Sequence, residues 1–98
     1  MSRSIVFRQA ARAELIRSIK WYDDRRAGLG DEFETEVNSV LDTIAEHPDR
    51  YPIADGEVRV AKVHRFPFGV YYRIRSGWIV IISVFHESRD PSEWQSRS

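Results

Sequence analysis

Cysteine is missing from the 98 residues. Disulfides and thiolate metal sites are therefore excluded, and the chain suits a reducing compartment such as the cytosol. Long hydrophobic runs are missing as well. The longest, Trp78 to Phe85, is too short to cross a bilayer as a helix. Met1-Ser2-Arg3-Ser4, followed by one short apolar run, lacks the pattern of a signal peptide. No stretch has the composition of a low-complexity or disordered segment. Acidic residues are absent from one long segment, Val58 to His86, which carries five basic ones: Arg59, Lys62, Arg65, Arg73 and Arg75. Formal net charge is nevertheless zero, because Asp31 to Glu57 holds nine acidic residues and one basic residue, Arg50. The neutral total hides a dipolar molecule, and its basic segment can attract an anionic partner.

What is present reads as one small domain spanning 1–98, with room for one core. Ile5-Val6-Phe7 is a short strand candidate. From Gln9 to Arg26 the period becomes helical, and Ala11, Leu15, Ile19 and Tyr22 share a face. Ile16 widens that stripe and Trp21 covers its rim. Gly28-Leu29-Gly30 ends the helix. Asp31 then reads as the N-cap of a second helix, with Glu34 as its capping-box partner. Phe33, Val37, Val40, Leu41 and Ile44 form its buried face, and Pro48 stops it near His47. The two helices should pack as an antiparallel hairpin. Asp49 to Gly56 reads as a loop anchored by Tyr51.

A three-stranded meander follows. Val58 to Arg65 alternates imperfectly, which a bulge near Ala61-Lys62 or a strand edge explains. Phe68, Val70, Tyr72 and Ile74 should face the helices, and Gly69, Tyr71, Arg73 and Arg75 should face outward. Ser76-Gly77 is a hairpin turn. Trp78 to Phe85 is apolar on both faces and belongs in the middle of the sheet. Asp90-Pro91-Ser92-Glu93 opens a short C-terminal helix turn, and Trp94 packs onto the body. The expected fold is α+β: four mainly antiparallel strands with an N-terminal helical hairpin on one face, in the order β-α-α-β-β-β.

That order, together with several local strings, resembles the RelE/ParE superfamily of toxins from type II toxin–antitoxin modules. The strings are Trp21-Tyr22, Gly28-Leu29-Gly30-Asp31-Glu32-Phe33, His47-Pro48, Arg65-Phe66-Pro67-Phe68, Val70-Tyr71-Tyr72-Arg73, Val84-Phe85-His86 and Arg89-Asp90-Pro91 with Trp94. They cover nearly the whole chain and look closest to the ParE-like, plasmid-stabilisation branch. The resemblance implies a bacterial, cytoplasmic toxin that inhibits growth and is held inactive by a cognate antitoxin in a higher-order complex. Operator DNA would be bound only through the antitoxin. A basic sheet beside a groove suits a partner segment that folds on binding.

Three functions remain open on this resemblance. A ParE-like toxin would bind DNA gyrase without chemistry, using Trp21, Arg25, Arg26 and the tail around Trp94. A RelE-like toxin would cleave mRNA on the ribosome through the 2′-hydroxyl, with the protein moving protons and stabilising charge and needing no metal. Arg65 and Arg73 would then hold the phosphate and His86 would act as acid or base. Arg59, Lys62 and Arg89 complete the candidate anion-binding set, and Tyr71 would stack on a base. A third reading is a non-toxic homologue that keeps antitoxin binding. Structural roles compete residue by residue: Arg65 closing its turn or pairing with Asp90, and Arg89 pairing with Glu93 four residues on. No carboxylate sits on the meander as a general base. The three histidines are scattered, and neither metal-ligand spacing nor a glycine-rich phosphate loop is present, so the reading calls for no cofactor.

Overall fold

In the computed structural model, which describes residues 3–97, the chain runs β1 (Ser4–Phe7), α1 (Gln9–Arg25), α2 (Leu29–Glu46), a 3-10 turn (Pro48–Arg50), β2 (Ile53–Asp55), β3 (Val58–Lys62), β4 (Phe68–Arg75), β5 (Trp78–His86) and α3 (Ser92–Gln95). Met1, Ser2 and Ser98, the ends of the expected domain, lie outside the described residues. The α+β architecture is as expected, with one more strand. The loop expected over 49–56 contains β2, so the sheet has five strands in the order β1-β5-β4-β3-β2. β2 is three exposed residues paired irregularly with β3. A strand that short, with no buried face, leaves no alternation to detect.

β1 settles beside β5 and runs parallel to it, with Ser4 opposite Trp78 and Phe7 opposite Ile81. The remaining pairings are antiparallel. β3 pairs with β4 in regular register from Arg59 opposite Tyr72 to Lys62 opposite Gly69. It then ends, so no bulge lies at Ala61-Lys62. The break in alternation there is the strand's end. A bulge does occur on β5: Tyr71 pairs with Ser83 and Tyr72 with Ile81, which leaves Ile82 as the extra residue.

The helix hairpin turns at Gly28, whose φ of 89° is the left-handed conformation that glycine adopts freely. α2 begins at Leu29, earlier than the expected Asp31 cap, and Gly28 offers no side chain to cap it. The capping role passes across the hairpin: Asp23 on α1 accepts the Gly30 N–H at 2.7 Å. A Cβ at Gly30 would stand 2.4 Å from the Ile19 carbonyl oxygen, so the helices can meet this closely only at glycine. At the other end, Asp90 accepts the Ser92 N–H at 3.0 Å just before α3.

The core lies between the hairpin and one face of the sheet. Phe33, Val37 and Ile44 of α2 are fully buried, as are Val70, Tyr72, Ile79 and Ile81. Leu15, Ile19, Tyr22, Val40, Leu41 and Tyr51 pack at its margin. Ile16 does not widen the α1 stripe, being 59% exposed. Four aromatic rings join the layers. Phe33 lies 5.1 Å from Tyr22, 5.1 Å from Phe66 and 4.8 Å from Phe68 between centroids, and Tyr22 lies 4.9 Å from Phe66. A smaller cluster of Val58, Phe85 and Trp94, with Tyr71 against it, is buried by α3. Trp94 stacks on Tyr71 at 4.3 Å.

Phe33→Ala should destabilise the fold by about 3–5 kcal/mol, because it removes the ring that all three others touch. The urea midpoint checks this. A second test uses Tyr72, whose buried hydroxyl donates to the Pro48 carbonyl at 2.6 Å. Burial pushes its pKa from 10.0 up to about 12. A folded pKa raised above the unfolded value means that this stabilisation is intact below pH 10 and is lost as pH rises through the folded pKa. Alkaline titration followed by phenolate absorbance should show the last tyrosine to ionise doing so together with loss of the fold. Tyr72→Phe should remove that late step.

Candidate functional site: a groove beside the last strand

The basic residues of the meander are largely occupied by the protein itself. Arg59 donates to the Tyr51 carbonyl at 2.6 Å and weakly to that of Asp49 at 3.4 Å. Lys62 pairs with Glu87 at 2.9 Å, which raises the Lys62 pKa. Arg75 pairs with Glu57 at 3.5 Å. Arg89 pairs with Glu93, as its spacing suggested. Arg65 does not meet Asp90. It reaches back to α2 and pairs with Glu32 at 2.8 Å and Glu36 at 3.7 Å. Its φ of 71° is the one left-handed non-glycine conformation among the described residues. Its hydrogen bond with Glu32 raises the Arg65 pKa and holds the Glu32 carboxyl below its ordinary 4.5. Arg73 alone of the set has neither a carboxylate nor a carbonyl partner among the described residues, and its Nε is buried without an acceptor.

Arg73 and His86, expected to share one phosphate, lie apart. His86 pairs with Phe68, and Arg73 is five residues further along β4, about 17 Å away. Five is odd, so Arg73 and His86 point to opposite faces of the sheet. Arg65, in the loop between β3 and β4, is held against the first turn of α2. His86 itself is oriented. Its Nδ1 accepts the Ser88 N–H at 3.0 Å and lies 2.8 Å from the Ser88 hydroxyl, and its ring meets Phe68 edge-on at 5.1 Å. Accepting that backbone N–H puts the neutral ring's proton on Nε2.

Next to His86 opens a groove of about 560 Å³ between α1 and the far end of β5. Tyr22, Phe68 and Val84 supply apolar lining, and Trp21, Arg17 and Arg89 also border it. Trp21 is 51% exposed, and the Arg25 guanidinium lies 3.9 Å over its ring. Arg17 and Arg25 have no ion-pair partner among the described residues. Of the four residues expected at a protein-binding surface, Trp21 and Arg25 therefore stand together on the outside. Arg26 is tied to Glu32 at 3.3 Å, and Trp94 is 2% exposed beneath α3.

Glu14 was missed by sequence reasoning. It lies on the groove wall and is 3% exposed. Its signal was its place on the buried stripe, three residues after Ala11 and one before Leu15. Its partner Arg97, 83 positions away, has no local signal at all.

The fold is RelE/ParE-like. One solved structure like it is the chromosomal ParDE toxin–antitoxin system from P. aeruginosa, with a TM-score of 0.76 at 16% identity, covering 87% of this chain and 96% of that one. Another is the E. coli toxin RelE, an arginine double mutant in the free state, with a TM-score of 0.63 at 17% identity, covering 99% of this chain and 94% of that one. At such identities the likeness is one of fold. The sequence family is narrower: a family model described as the ParE toxin of type II toxin–antitoxin systems, parDE, matches residues 5–91. The chain belongs to that ParE toxin family. No curated protein sequence matches it significantly. No helix among the described residues is long and apolar enough to cross a membrane.

The Glu32–Arg65 link makes an acid-side prediction. Glu32 has a depressed folded pKa, so its contribution is present above the unfolded value of 4.5 and is lost as pH falls through the folded pKa. Urea midpoints measured on acidification below pH 4.5 should fall more steeply for the wild type than for Glu32→Gln.

Proposed function

We propose that this chain is the toxin of a toxin–antitoxin pair, that it acts in the cytoplasm, and that it inhibits growth by binding DNA gyrase rather than by cutting RNA. One observation carries the choice. Of the groups that would have to meet on a scissile phosphate, Arg73 is separated from His86 by about 17 Å of strand and by the sheet itself, and Arg65 is engaged by Glu32 and Glu36. In-line cleavage needs its groups in contact with one phosphorus centre. A protein-binding role needs an exposed anchor instead, and Trp21 with Arg25 stacked on it is of the kind that interfaces favour. The antitoxin's part of the surface is the groove: apolar lining and unpaired Arg17 and Arg25 suit an acidic, amphipathic segment that orders on binding.

Short pulse expression without antitoxin tests this, with mRNA 5′ ends and gyrase supercoiling assayed in the same cells. Intact mRNA with inhibited supercoiling is expected. Trp21→Ala with Arg25→Ala should relieve growth arrest at least tenfold in colony counts, while His86→Ala should leave it unchanged. New mRNA ends that vanish in His86→Ala would sink the gyrase reading and establish the nuclease. A wild-type chain that arrests nothing yet still binds antitoxin would identify the non-toxic homologue.

A further inference from the structure

The sheet's outer face, turned away from the hairpin, is covered over only part of its area. α3 lies on the part formed by Val58, Tyr71 and Phe85, with Trp94 buried among them. The part beside it is bare. There Val6 of β1 and Arg73 of β4 both stand opposite Val80 of β5, and Arg75 stands opposite Trp78. Ile5, Ile74 and Ile79, one residue along in each strand, belong to the core, so Val6, Arg73, Arg75, Trp78 and Val80 point outward. Val6 is 42% exposed and Trp78 51%. The three strands span two inter-strand spacings, about 10 Å, which is about the 10 Å diameter of one α-helix.

The charge left over on this part has one sign. β1, β4 and β5 contain no acidic residue. Arg75 is paired with Glu57, and Asp55 lies beyond β3, two strands from Arg73. Arg73 makes neither an ion pair nor a hydrogen bond among the described residues. Its Nε is buried, while its terminal nitrogens are not. The one other buried side-chain polar atom without a partner among the described residues is the Trp94 indole nitrogen, under α3 on this same face. Both are donors, so the outer face is short of an acceptor.

We propose that the bare part of the outer face is a docking surface for an acidic amphipathic helix of a partner protein. Its apolar stripe lies on Val6, Trp78 and Val80, and a carboxylate on it meets Arg73. Tryptophan and arginine are the side chains that most often anchor interfaces, and an arginine–carboxylate pair adds directional hydrogen bonds to the charge. The width of the bare part fits one helix, which would continue the layer that α3 begins. A second copy of the chain has no suitable helix to offer. The exposed side of α2 carries Asp31, Glu34 and Asp42 without an exposed large apolar residue. α1 exposes Ile16 and Trp21 among Arg12, Arg17 and Lys20, which would repel Arg73. Phe68 and Val84, which line the groove, face the core, so this surface lies on the opposite side of the sheet from the groove. The inference therefore rests neither on the groove's occupant nor on the toxin's target.

The test titrates the full chain with a synthetic helical peptide carrying leucines on one stripe and glutamates elsewhere, followed by the valine methyl resonances. Val6 and Val80 report the outer face and Val84 reports the groove, so the two surfaces are read separately in one sample. Val6 and Val80 should shift saturably on the wild type. Arg73→Gln and Trp78→Ser, with folding confirmed by circular dichroism, should each weaken that response at least tenfold and leave the Val84 response as it was. The same peptide with lysines for glutamates should not move Val6 or Val80. Unmoved Val6 and Val80 on the wild type overturn the inference, whatever Val84 does. So does a response that Arg73→Gln leaves intact, or one that the lysine peptide reproduces. Val6 and Val80 resonances that move with protein concentration alone would make the occupant a second copy and overturn it as well.

Discussion

A strand that is apolar on both faces must be covered on both, and β5 imposes that demand on the whole molecule. Its inner side chains Ile79, Ile81 and Val84 are buried beneath the hairpin. On the other face, Phe85 is buried with Trp94 of the C-terminal helix. One edge is taken by the eight-residue β4. The other is taken first by β1 and then by the Glu14–Arg97 pair. β4, β1, α1 and α3 each cover some part of β5. Burying the row of isoleucines and valines removes apolar area from water at roughly 25 cal/mol per Å². That gain is kept only if the backbone groups along both edges find partners.

The same demand explains where charge sits. A carboxylate as buried as Glu14 survives because four donors converge on it: the Ser83 hydroxyl, the Val84 amide and two guanidinium nitrogens. The basic meander follows a related rule at the surface. Its cations are distributed among Glu32, Glu36, Glu57 and Glu87 and the carbonyls of Asp49 and Tyr51. The segregation of charge along the chain is thus largely undone in space. Around the groove and Trp21, the positive charge left without an ion pair among the described residues lies on α1, at Arg17 and Arg25, where the linear charge pattern drew no attention to Arg17.

Much of the fold was legible because it depends on local periodicity. Phe33, Val37 and Ile44 declared the face of α2 by their spacing, and Phe68, Val70 and Tyr72 declared the face of β4. The Arg89–Glu93 pair was legible for the same reason, being one helical turn apart. Errors fell where a local rule met a tertiary competitor. Asp31 had the chemistry of an N-cap, but the hairpin's close approach put Gly28 at the cap and gave the Gly30 N–H to Asp23. Arg65 was read against its own turn or Asp90 of the tail, yet from its left-handed backbone it pairs with α2. Trp94 packs onto the body as its place in the tail suggested, and its burial against Phe85 leaves it little surface for a target.

The amino-acid sequence by itself determined the element types, the hairpin, the interior (not edge) position of β5 and the family resemblance, since these follow from spacing and composition within short windows. Only the tertiary structure decided which side of β5 receives β1, where the meander's charges go, and that Glu14 meets Arg97. Those outcomes depend on contacts between residues tens of positions apart, and no periodicity along the chain records which distant partner will satisfy a given donor or charge.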